Sequence, residues 1–106
     1  MKEQEGNRTP RFTDNFGRLL GLHALSQHTA AKVLGVSPAT INAWMQGKTV
    51  PSLQKAIGVA ELFGIPTERL MNATFPQLLE KELADPERYE RTERRLHAAR
   101  ARLKSV

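Results

Sequence analysis

Three apolar runs are each opened by a serine and closed by a glycine: Ser26 with Gly35, Ser37 with Gly47, and Ser52 with Gly64. This punctuation confines the middle of the chain to short helices. A serine hydroxyl takes one of the backbone N–H groups that a helix start leaves free. Glycine, lacking a Cβ, permits the left-handed turn that stops a helix. Between the punctuation marks, apolar residues recur at helical spacing. Ala30, Ala31 and Leu34 form one set, and Ile41, Trp44 and Met45 a second. Leu53, Ala56, Ile57, Ala60 and Leu62 or Phe63 are expected to face inward in a third. Pro38 follows Ser37 at the first helical position, where its missing N–H costs nothing.

The same reading extends in both directions. Thr13 or Asp14 is expected to cap a first helix carrying Phe16, Leu19 and Leu20, which stops near Gly21 or His23. Pro66 biases Ile65 to extended backbone. Thr67 then opens a short fifth helix through Leu70 and Met71, with Glu68 near its positive end. Residues 75–84 read as a sixth, amphipathic helix with Leu78, Leu79 and Leu83 on its apolar face. Asp85 and Pro86 restart the chain, and nothing breaks the helix before about Lys104. No alternating strand pattern accompanies these helices, so the fold class is all-α.

Composition narrows the chemistry. The chain has 106 residues, 40% hydrophobic and 25% charged, which suits one globular domain with an appendage. It contains no cysteine, which excludes disulfides and thiolate metal sites and makes a reducing, cytoplasmic compartment the default expectation. No apolar run approaches the ~20 residues of a membrane span, and the first dozen residues lack the apolar stretch of a signal peptide. His23, His28 and His97 are too scattered for a metal site, and no nucleophile arrangement or phosphate loop is visible. The chain is therefore expected to be neither an enzyme nor a cofactor binder.

Net charge is +5, which suits a polyanionic partner. Residues 86–106 hold seven Lys or Arg against three Glu. Lys2, Arg8 and Arg11 add a smaller positive share in residues 1–12, read as a flexible arm.

The segment QHTAAKVLGVSPATINAW, residues 27–44, has the residue sizes that two helices crossing at a tight turn require. Ala31 is small at the crossing, and Gly35 suits the turn. Leu34, Val36, Ile41 and Trp44 are apolar on the buried sides. With Leu25-Ser26-Gln27 before it, the Gly47-Lys48 and Pro51-Ser52 pairs after it and Leu62-Phe63-Gly64-Ile65-Pro66 beyond, this pattern resembles the lambda-type repressor and Cro-like helix-turn-helix family. The resemblance covers residues 16–71. It implies a five-helix, lambda-repressor-like domain with one or two additional C-terminal helices. It also implies a sequence-specific binder of double-stranded DNA whose third helix enters the major groove. The expected division is an arm at 1–12, a DNA-binding domain at 13–72 and a helical extension at 73–106.

Carried onto this chain, the resemblance places phosphate contacts at Lys48 and at Thr49, and at Gln27 either a phosphate contact or a brace for the third helix. It places base contacts at Ser37, Pro38, Ala39 and Ala43. Three of those last four have no polar side chain. Either Pro38, Ala39 and Ala43 touch thymine methyl groups while Asn42, Thr40 and Gln46 carry the polar contacts, or the module binds another protein. Arg11 is read evenly as a DNA-tracking residue or as part of an inert tail.

Tyr89, Thr92, Leu96, Ala99, Leu103 and Val106 follow a heptad spacing. Three readings stay open for this helix: a homodimer seam, docking on the chain's own helices, or an arginine-rich face lying along DNA. The functional expectation is a transcriptional regulator, a repressor of phage or bacterial type. The alternative is an antitoxin-like or other interaction module that uses the C-terminal helices.

Overall fold

The structure, a computed structural model, describes the backbone of residues 2–104 and the side chains of residues 11–104. Among the described residues the chain forms seven helices: α1 Lys2–Leu22, α2 Gln27–Leu34, α3 Pro38–Met45, α4 Leu53–Phe63, α5 Thr67–Asn72, α6 Phe75–Glu80 and α7 Pro86–Lys104. No helix among these residues is long and apolar enough to cross a membrane.

The punctuation performs as physical chemistry requires. Ser26, Ser37 and Ser52 accept from the backbone N–H of Thr29, Thr40 and Lys55. Gly35, Gly47 and Gly64 take φ of 70°, 73° and 69°, the left-handed region that favours glycine. Thr74 and Gln77 add a reciprocal capping box at the start of α6.

One apolar core draws on every helix. Phe12, Phe16, Leu19 and Leu20 of α1 meet Ala30 and Ala31 of α2, Ile41 and Trp44 of α3, and Val59, Ala60 and Phe63 of α4. Leu70, Leu78 and Leu96 bring in α5, α6 and α7. Trp44 packs edge-on against both Phe12 and Phe16, each ring 5.7 Å away.

Three expectations about element boundaries and faces are corrected. First, α1 does not begin at Thr13 or Asp14; its backbone is already helical from Lys2, through the residues read as an arm. Thr13 is not a cap because its hydroxyl donates to the Trp44 carbonyl at 2.8 Å. Asp14 pairs instead with Arg18 one turn on. Phe12, fully buried, extends the apolar face one turn earlier than Phe16. The side chains of Lys2 and Arg8 lie outside the described residues, as does Val106.

Second, α4 is rotated from the expected phase. Ala56, Val59, Ala60 and Phe63 face the core, whereas Leu53 is 73% exposed and Ile57 40%. Adjacent residues on a helix lie 100° apart, so seating Ala56 and Val59 moves Leu53 and Ile57 off the inner face.

Third, α6 stops at Glu80, and Leu79 points outward. The chain turns at Lys81, and Leu83 N–H donates back to the Leu78 carbonyl at 2.8 Å. That turn buries Glu82, whose two carboxylate oxygens accept from Arg69 Nε and Nη2 at 2.8 and 3.1 Å. The Arg69 guanidinium holds the Glu82 carboxyl below the ordinary carboxylate range, outweighing the upward push of burial.

The packing of helix α7 fits the docking reading of the C-terminal segment. Thr92, Leu96 and Ala99, three positions of the heptad seam, are buried against the chain's own helices. The contact is also polar. Thr92 Oγ1 donates to the Phe63 carbonyl at 3.2 Å, and Arg95 Nη1 to the Leu62 carbonyl at 3.0 Å. These are among the last carbonyls of α4, which have no partner within their own helix. Arg100 Nη2 likewise donates to the carbonyls of His23 and Ala24, just past α1, at 3.3 Å each. Part of the basic character of α7 is thus spent capping the ends of two other helices.

Candidate nucleic-acid interface

The α2–turn–α3 unit is built from its caps inward. After α2, the Val36 N–H returns to the Ala31 carbonyl at 3.0 Å across Gly35, fixing the turn. Ala31, 2% exposed, lies where α2 packs on α3. Ile41 and Trp44 then anchor α3 from below, both essentially buried. With that face fixed, Ser37, Pro38, Ala39, Asn42 and Gln46 are exposed, and Thr40 and Ala43 are half-exposed. The expected base-contact positions of α3 are therefore brought together on one outward surface.

Their polar groups are not equivalent. Ser37 Oγ accepts from the Thr40 backbone N–H at 3.1 Å and lies 2.9 Å from Thr40 Oγ1. These two hydroxyls engage each other and the helix start. Gln46 Nε2 donates to Asn42 Oδ1 at 3.3 Å. An amide oxygen has two lone pairs, so Asn42 Oδ1 keeps one acceptor site and its Nδ2 keeps its donors. The pair holds the Asn42 amide in place on a surface otherwise made of Pro38, Ala39 and Ala43. Such a surface allows close approach of a flat partner edge.

Gln27 is exposed as the first residue of α2, and Lys48 and Thr49 are exposed on the loop after α3. The Lys48 backbone N–H donates to the Ala43 carbonyl at 2.9 Å, which pins that loop to the end of α3. Arg11 stands apart from this group. Its Nη1 donates to the Asn72 carbonyl at 2.6 Å, at the end of α5. No group of acidic, histidine or cysteine side chains among the described residues could hold a metal ion.

The comparison with protein families decides the relationship: a helix-turn-helix family model matches residues 18–70. The chain belongs to the lambda-repressor-like helix-turn-helix family. It is also 49% identical over 47 residues to a protein of Methanocaldococcus jannaschii named as an uncharacterized HTH-type transcriptional regulator. That alignment covers 44% of this chain and 71% of the relative. No solved structure matches.

Two groups of side chains went unremarked in the sequence. Asn15, fully buried in α1, donates from Nδ2 to the carbonyls of Leu70 and Ala73, each at 2.9 Å, and so closes the end of α5 beside the unit. Among the described residues its Oδ1 is buried without a partner. Lys32, on the outer side of α2, lies with Arg100 and Lys104 of α7 along one cleft. An asparagine on the helix face that otherwise carries Phe12, Phe16 and Leu19 is the only signal for the first, and nothing local signals the second.

Proposed function

We propose that the protein is a DNA-binding transcription regulator, a repressor of phage or bacterial type, that reads double-stranded DNA with α3 in the major groove. The observation that carries this reading is the outward face of α3. It presents a buttressed amide, Asn42 held by Gln46, among Pro38, Ala39 and Ala43. An asparagine amide matches the N6 donor and N7 acceptor of adenine, and small apolar side chains fit against thymine methyl groups. The family membership and the printed name of the M. jannaschii relative support the same reading.

In this mode Gln27 and Lys48 meet phosphates on either side of the groove and set the register of α3, while Asn42 supplies sequence preference. Thr40 and Ser37 contribute less, because their hydroxyls are already engaged. Arg11 donates to the Asn72 carbonyl at the end of α5, and no DNA contact is needed from it in this mode.

The deciding experiment is selection from a random duplex pool with the full chain. Enrichment of a short motif containing adenine and thymine supports the reading, and the symmetry of that motif reports how many copies bind. A pool that stays random after repeated rounds, at about 50 mM salt where phosphate contacts are strongest, overturns it.

A further inference from the structure

Between α2 and the end of α7 lies an open cleft of about 250 Å³, lined by His28, Thr29, Lys32, Arg100, Leu103 and Lys104. Three permanent cations line it, and no acid among the described residues does. Arg100 is held there by the His23 and Ala24 carbonyls. Lys32 and Lys104 are exposed. Arg94, by contrast, has Glu90 one turn away, and Arg69 has Glu82. Three positive charges lining one cleft make it favourable ground for an anion.

Position selects the kind of anion. His28 and Thr29 belong to the first turn of α2, next to Gln27, so the cleft opens at the α2 end that also presents Gln27. We infer that this cleft seats the phosphodiester backbone of DNA flanking the stretch read by α3. The cleft thereby lengthens the footprint of the domain by adding phosphate contacts from Lys32 of α2 and Lys104 of α7, with Arg100 as a fixed charge between them. The inference rests on the DNA-binding reading above. It goes beyond it by giving a DNA contact to a helix outside the family match.

The test uses the full chain carrying Lys32→Ala and Lys104→Ala together. Arg100 is left intact because it caps backbone carbonyls. Binding is measured by fluorescence anisotropy across a salt series. The duplex is the one enriched by wild type, in a version with long flanks and a version trimmed to the enriched motif.

Each phosphate contact contributes about 0.9 to the slope of log affinity against log salt. The double variant is therefore expected to have a slope shallower by about 1.8 on the long duplex. Between about 50 and 200 mM salt, wild type then loses roughly 12-fold more affinity than the variant. On the trimmed duplex the two proteins are expected to coincide. An unchanged slope on the long duplex overturns the inference, as does a difference that survives trimming. If inorganic phosphate raises the melting temperature of wild type but not of the variant while the DNA slopes agree, the cleft belongs to a small anion and the inference falls. Failure of wild type to enrich any duplex brings down both readings; enrichment with an unaffected variant brings down this one alone.

Discussion

Replacing Leu96 with alanine tests the docking of α7 directly. Leu96 is 1% exposed and sits in the continuous core with the apolar residues of the other helices. Removing its side chain deletes buried apolar surface and leaves a cavity, a change that costs about 2–5 kcal/mol at core leucines. Unfolding entropy is about 2.1 cal/mol/K per residue near the melting temperature. For a chain of 106 residues this gives about 0.22 kcal/mol/K, so the melting temperature should fall by about 9–22 °C. The assay is a circular dichroism melt of both proteins at two concentrations about tenfold apart. If Leu96 is intramolecular core, the drop is the same at both. If the heptad seam instead joined two copies, the wild-type melting temperature would rise with concentration by mass action. A drop of less than about 3 °C, or one that depends on concentration, refutes the assignment of this face to the chain's own core.

Asn42→Ala should leave the melting temperature nearly unchanged yet reduce discrimination between the enriched duplex and one with its adenine replaced, by about 1–3 kcal/mol; equal discrimination removes Asn42 from the reading face. Asn15→Ala strands the Leu70 and Ala73 carbonyls and should destabilise the fold by about 1–3 kcal/mol in urea unfolding, with a neutral result counting against Asn15 as the closure of α5. The folded-state pKa of Glu82 is depressed, so its contribution to stability is present above the unfolded carboxylate value of about 4.3 and is lost as pH falls through the lower folded value. Glu82→Gln should therefore be less stable than wild type at pH 7, and the gap should narrow as the pH is taken below about 4; a gap independent of pH would remove the ion pair as its cause.

What was legible in the sequence was what is settled within one turn of helix. Ser26, Ser37 and Ser52 cap through their own backbone neighbours three residues on, so their role follows from spacing alone. Ile41 and Trp44 define the buried side of α3 for the same reason, and with it the outward side. The long-range partners were not legible. Thr13 looks like a cap until Trp44, 31 residues away, supplies a carbonyl. His23 reads in sequence only as the end of a helix. Its ring instead lies buried between Phe63 and Tyr89, with Nδ1 2.6 Å from Glu93. The phase of α4 depends on the helices packed around it, α2, α5 and α7, which periodicity within α4 cannot reveal. For α7 itself, a seam of Thr92, Leu96 and Ala99 fits a partner helix and a home core equally well in sequence; the carbonyls that Thr92 and Arg95 meet, those of Phe63 and Leu62, lie 29 and 33 residues away.

The family match ends before the polar contacts that close the fold are made. Phe12 and Phe16 precede residue 18, and Phe75, Leu78 and Leu96 follow residue 70, yet all five share one core with α2 and α3. The carbonyl groups at the end of α4 are satisfied from α7, and those at the end of α5 from Asn15. The matched segment is therefore a poor cassette for building chimeras. Grafted alone, it would carry α3 away from the aromatic rings and caps that hold it still. Under the DNA reading proposed above, a change of preferred site is better engineered by exchanging Pro38, Ala39, Asn42, Ala43 and Gln46 within the intact chain. There the framework beneath them is already complete.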